Sequence, residues 1–168
     1  MPIHRLNHAV LYVRDAEATA SFYERVLGFE RLPMGFPGAV FMRAPGSTND
    51  HDLGLFSVGS GAQPSAAGRG SVGLYHLAWE VSTLEDLEDL SAKLSEAGAL
   101  VGASDHGTTK SLYGKDPDGI EFEVAWVVPA DQLDEAALAS RSTIGRLDLE
   151  REKSRYGAST LGGIGISR

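Results

Sequence analysis

Cysteine is absent from this 168-residue chain. Its absence excludes disulfides, thiolate metal ligands and a cysteine nucleophile. A basic surplus is missing too: 23 acidic residues against 15 Lys and Arg give a net charge of -8. No excess of cations is therefore available to neutralise phosphates, and no nucleic-acid partner is expected. No apolar run approaches the length of a membrane span, and Met1-Pro2-Ile3-His4-Arg5 lacks the apolar core of a secretion signal. The expectation is a cytoplasmic protein with no membrane partner. What is present is ordinary for a globular protein, 42% hydrophobic and 23% charged residues, in a length that suits a single domain around one core.

The organisation emerges when the two halves of the chain are laid side by side. Residues 4–13 alternate as a half-buried strand should, with Ala9, Leu11 and Val13 on one face and Leu6, His8, Val10 and Tyr12 on the other. Asp15 is placed to cap a helix reaching Leu27, and Gly28 to stop it. Strands are expected around 29–33, 38–44 and 51–58. After a Gly-, Ser- and Ala-rich loop at 59–70 the pattern restarts: a strand over 72–81, then Ser82-Thr83-Leu84-Glu85 as a capping box. The helix that follows carries Leu84, Leu87, Leu90, Leu94 and Ala97 at helical spacing, with Gly98 as its stop. Strands near 99–103, 108–114 and 119–127 complete it, so each half reads β-α-β-β-β, an internal repeat. The modules cover about 4–58 and 72–127 within a domain of residues 1–128, and 129–168 forms a C-terminal tail with short helices.

His8 and His76 occupy corresponding strands of the two halves. Glu123 lies on the final strand, where Glu121, Glu123 and Ala125 share one side and Ile120, Phe122 and Val124 the other. The apolar side is expected to pack on helices, leaving Glu123 facing a cavity. Two histidines and a carboxylate suit a facial metal site with open coordination positions; Glu121 is the nearest competitor to Glu123. Trp79, Trp126, Phe36 and Phe41 are candidates for an aromatic-binding pocket and equally for core packing. His4 is expected near the mouth of that cavity or at the surface.

The run His8-Ala-Val-Leu-Tyr-Val-Arg-Asp, with Ser21-Phe22-Tyr23, Leu27-Gly28-Phe29, Tyr75-His76 and Asp116-Pro117-Asp118-Gly119 before Glu123, resembles the vicinal oxygen chelate superfamily. This is the group of glyoxalases, bleomycin resistance proteins and extradiol dioxygenases. The resemblance covers roughly residues 4–127. It implies an α+β fold in which two paired βαβββ modules form a metal-lined cup. Asn49-Asp50-His51-Asp52-Leu53 is similar to the stretch of type I extradiol dioxygenases that carries an active-site histidine, which His51 matches. Asp105-His106 and Ser111-Leu112-Tyr113 likewise resemble their segment with a second histidine and a substrate-facing tyrosine.

That branch implies a divalent metal, Fe(II) before Mn(II) or another ion, held by His8, His76 and Glu123. His51, Tyr113 and His106 are its catalytic residues, and a small catechol-like aromatic and dioxygen its substrates. It also suggests a homodimer. Two alternatives stay open. A glyoxalase-like metal-dependent lyase or isomerase would use the same cup, although the strand His51-Asp52-Leu53-Gly54-Leu55-Phe56 offers no glutamate as a fourth ligand, and Asp52 is short and points opposite to His51. A non-catalytic protein that sequesters an aromatic or an antibiotic is the other.

Overall fold

The structure is a computed structural model and describes residues 2–3, 5–68 and 70–163. His4 and the last five residues of the tail lie outside the described residues. The chain divides into two compact units, residues 1–65 with 116–119, and residues 66–115 with 120–168.

In the first unit, β1 (Ala9–Val13), β2 (Glu30–Arg31), β3 (Ala39–Arg43) and β4 (Leu53–Ser57) form a sheet in the order β1-β4-β3-β2, with β1 parallel to β4 and the other pairs antiparallel. Helix α1 (Ala16–Leu27) starts where expected: Asp15 Oδ1 accepts from the amides of Glu17 and Ala18, satisfying donors that have no partner inside a first turn. Gly28 ends it in the left-handed conformation, at φ 75°. Leu11 and Val13 are buried, with Ala20, Tyr23 and Val26 of α1, whereas Val10 and Tyr12 stay exposed on the face that His8 continues. Strand β1 is shorter than expected. It begins at Ala9 because its ladder starts at the Ala9–Leu53 pairing; residues 5–8 have no strand partner, and His8 stands one residue ahead of the sheet. His51, expected inside a strand, likewise precedes β4.

The turn Asp116–Gly119 belongs to this first unit. Asp118 accepts from the Arg14 amide at 2.9 Å and from its guanidinium at 2.6 Å. Two motif segments distant in sequence, at the end of β1 and in the Asp-Pro-Asp-Gly turn, are thus joined by an ion pair. Burial, together with the Asp116 charge, pushes the Tyr23 phenol far above its ordinary value.

The second unit repeats the plan with β5 (His76–Glu80), β6 (Leu100–Asp105), β7 (Thr109–Lys115) and β8 (Glu121–Val127), ordered β5-β8-β7-β6. Helix α2 (Leu84–Glu96) buries Leu84, Leu87 and Leu94. Its capping box is displaced by one residue from the expected pair: Thr83 caps, and Asp86 rather than Glu85 returns the bond, because Asp86 is three residues on from the true cap. Beyond β8 come short 3-10 turns at Ala130–Gln132 and Ser140–Ser142, helix α3 (Glu135–Ala139) and helix α4 (Leu149–Tyr156). The tail packs within its own unit. Tyr156 lies against Trp126, whose ring is fully buried and whose Nε1 donates to the Thr160 carbonyl, and Lys153 pairs with Glu88 of α2. Trp126 is therefore a core residue. No helix among the described residues is long and apolar enough to cross a membrane.

Candidate functional site

Strand alternation decides which side chains meet on the second sheet. The β8 register sets Glu121 beside His76, Glu123 beside Ala78 and Tyr113 beside Glu123, while Phe122 and Val124 turn to the buried side. Residues opposite one another in a ladder share a face. His76, Glu123 and Tyr113 therefore project together. His76 Nε2 lies 3.1 Å from Glu123 Oε2. Nδ1 of the same ring is buried and has no hydrogen-bond partner among the described residues, so the imidazole is oriented by Glu123. Glu121, its competitor, turns to Lys115 at 3.3 Å. Glu80, further along the same face of β5, is exposed, yet the solvent it loses on that face raises its carboxyl above the usual range.

Tyr113 and His106 also meet. His106 Nε2 is 2.9 Å from the Tyr113 hydroxyl, and Ser104 Oγ closes a triangle at 2.8 Å from His106 and 3.0 Å from Tyr113. The Tyr113 and His76 rings are 6.0 Å apart between centroids. Ser104 was not foreseen. It is buried, and its one sequence signal is the i, i+2 relation to His106 that puts both on one face of an extended segment.

In the first unit the other two candidate histidines are neighbours. The His8 and His51 rings are 4.4 Å apart between centroids, and a line of rings continues from His51 to Phe41 at 5.1 Å and on to the exposed Phe36 at 6.2 Å. His8 Nδ1 is 2.7 Å from Asn7 Oδ1, and His51 Nδ1 is 3.0 Å from Asp50 Oδ2. An oxygen acceptor at Nδ1 holds the ring proton there and leaves Nε2 as the basic nitrogen, the tautomer that a ligand or a general base needs. Asp52 is engaged elsewhere. It accepts from the Ala44 amide, Ser47 Oγ and Asn49 Nδ2, and so braces the turn ahead of β4.

These donors suit a divalent metal. Two donors at a right angle on one ion, each about 2.1 Å from it, lie about 3.0 Å apart, close to the His76–Glu123 separation. Neutral imidazole with carboxylate is a donor set for Fe(II), Mn(II) or Zn(II), and thiolate is absent. Among the described residues no group of three His, Asp or Glu side chains is gathered closely enough to hold an ion.

Comparison with known proteins adds to this geometry. Over 140 residues the chain is 32% identical to biphenyl-2,3-diol 1,2-dioxygenase 3 of Rhodococcus globerulus, covering 83% of this chain and 68% of that protein. Over 122 residues it is 31% identical to catechol-2,3-dioxygenase of Bacillus subtilis, covering 71% of this chain and 40% of that protein, so it spans well under half of that relative. A solved glyoxylase/bleomycin resistance protein/dioxygenase domain from Frankia sp. superposes with a TM-score of 0.60 and 23% identity, covering 74% of this chain and 92% of the other. The two four-stranded mixed sheets with their helices are thus the glyoxalase/dioxygenase arrangement of an α+β protein. The family model described as Glyoxalase/Bleomycin resistance protein/Dioxygenase superfamily matches residues 5–124.

Proposed function

Because this chain belongs to the Glyoxalase/Bleomycin resistance protein/Dioxygenase superfamily, we propose that it is an extradiol dioxygenase, opening a catechol-like ring beside its two hydroxyl-bearing carbons. The observation that carries this reading is the face of the second sheet opposite Phe122 and Val124, where the His76–Glu123 pair and the His106–Tyr113 pair project together. The 32% identity to a biphenyl-diol dioxygenase supports it.

The residues assigned to hold Fe(II) are His8, His76 and Glu123. Fe(II), when bound, would supply Lewis acidity toward the catechol oxygens and open positions for catechol and dioxygen. The protein's own groups handle the protons. His51, with Asp50 at Nδ1, offers Nε2 as the acid and base beside the bound oxygen. His106 Nε2 faces two hydroxyl oxygens. These are the hydroxyls of Ser104 and Tyr113, which hold the ring where it assists in orienting and deprotonating the substrate. Tyr113 presents its hydroxyl from the strand beside Glu123 and donates to a substrate oxygen.

The test is oxygen uptake with simultaneous absorbance scanning, after anaerobic Fe(II) reconstitution, across simple, alkylated and bicyclic catechols. Uptake coupled to a yellow ring-cleavage product, lost in His76→Ala together with bound iron, is the expected result. No uptake across the panel with iron incorporation confirmed would overturn the reading, in favour of glyoxalase-like chemistry or ligand binding.

A further inference from the structure

The family match ends at residue 124, yet the turn that carries His106 is held by residues beyond it. Asp105 and Gly145 exchange two backbone hydrogen bonds, at 2.9 and 2.8 Å. On the other side of His106, Gly107 adopts φ +74° and touches the end of α3. A Cβ added there would lie 2.3 Å from the Ala137 carbonyl oxygen and 2.8 Å from Ser140 Cβ. Under the turn sits Lys110, its side chain 0% exposed. Its Nζ donates to Asp105 Oδ1 at 2.5 Å and to the Gly107 carbonyl at 3.1 Å. It also lies 2.9 Å from Oε2 of Glu152 on α4, again 0% exposed. Arg151 closes the network, donating to Glu152 Oε1 at 2.8 Å and Asp105 Oδ2 at 3.1 Å.

The residues on both sides of His106 are therefore fixed from the C-terminal segment, by backbone pairing, by steric contact and by a buried ion pair. His106 has little freedom left. Its own amide bonds to the Thr109 carbonyl at 2.9 Å, and its ring meets Ser104 and Tyr113. We infer that residues 130–156 position His106, with Glu152 acting through Lys110 and Asp105, and the end of α3 acting through Gly107. The catalytic importance of this placement rests on the role proposed above for His106; the placement itself does not. A dioxygenase of this build would then need its C-terminal segment for proton handling through His106.

The experiment uses the whole 168-residue chain with 15N-labelled histidine, and reads ring nitrogens through two-bond correlation spectra, with His106 assigned from His106→Gln. In Gly107→Ala and in Glu152→Gln the His106 signals are expected to shift or broaden while those of His8 and His51 stay in place. Glu88→Gln, which weakens the Lys153 contact on α4, is expected to move none of them. With Fe(II) and a catechol that the parent cleaves, the same two variants are expected to lose about 10–100-fold in kcat, the loss a misplacement of about 1 Å brings, with KM little changed. Should Glu152→Gln fail to fold, Arg151→Ala removes a partner of Asp105 from a more exposed position and is read in the same way. Unmoved His106 signals in the folded variants would overturn the inference. Absent oxygen uptake in the parent would instead strike the dioxygenase reading, with the positioning judged by the nitrogen spectra.

Discussion

Replacing Lys110 with methionine removes a cation that solvent does not reach. The Nζ faces Asp105 at 2.5 Å and Glu152 at 2.9 Å. The Glu152 contact lies within ion-pair distance but lacks the alignment of a hydrogen bond, so charge holds this pair. Removing one member of a buried ion pair costs about 3–5 kcal/mol, because the other charge is left in an interior that solvates it poorly. Arg151 softens the loss, since it still reaches both carboxylates. The expected cost of Lys110→Met is therefore at the lower end, about 3 kcal/mol. Urea unfolding at pH 7 measures it, followed by tryptophan fluorescence, to which Trp126 contributes from its place 5.5 Å from the Tyr156 ring of α4. Adding Glu152→Met is expected to recover part of that loss, because an apolar pair strands no charge on Glu152.

Acid supplies a second readout of the same substitution. Burial raises the Asp105 carboxyl, but the hydrogen bonds from Lys110 and the Gly107 amide, with the charges of Lys110 and Arg151, outweigh it and hold the group below its ordinary value. A carboxyl held down by folding adds stability that is present above its unfolded value of about 3.9 and lost as pH falls through the lower folded value. Without Lys110 that hold weakens, and acid unfolding is expected to begin at a higher pH than in the parent. A loss below about 1 kcal/mol in Lys110→Met, or a double variant no more stable than the single one, would refute the reasoning.

Three further substitutions probe the frame around the site. Asp15→Ala removes the acceptor for two first-turn amides of α1 and is expected to cost about 1 kcal/mol, read from thermal unfolding. Gly114→Ala would drive a methyl group to 2.5 Å from the tip of the Phe122 ring; overpacking of this kind costs about 1–3 kcal/mol, measured by urea titration, and an unchanged midpoint would mean the ring yields freely. Asp118→Asn weakens the partly exposed pair with Arg14, and a double-mutant cycle with Arg14→Met is expected to give a coupling of about 1 kcal/mol.

Local signals proved reliable where a single segment decides the outcome. Asp15 and Gly28 bound α1, and the alternation along β8 separates Glu121 and Glu123 from the buried Phe122 and Val124, because capping and pleat depend on neighbours in the chain. Strand starts were less legible. His8 and His51 fall outside β1 and β4 because a strand begins where its partner does, and that partner lies more than forty positions away at Ala9–Leu53. The capping box slipped by one residue because Ser82 and Thr83 are both competent caps and both Glu85 and Asp86 can answer them.

The support beneath His106 left almost no trace in periodicity. Lys110 and Glu152 look like two ordinary surface charges among 38 charged side chains, 23 acidic and 15 basic. Their burial comes from each other and from Asp105, a relation that pattern does not encode. Composition identified helix-forming stretches in the tail but not where they dock. Docking follows from Tyr156 against Trp126, Lys153 against Glu88 and the ion pair under the turn. A lysine closed off from water in a chain of net charge -8 needs a carboxylate brought to it. Here one comes from the strand end beside His106 and the other from α4, so the charge that ties the tail down also fixes the turn of a candidate catalytic residue.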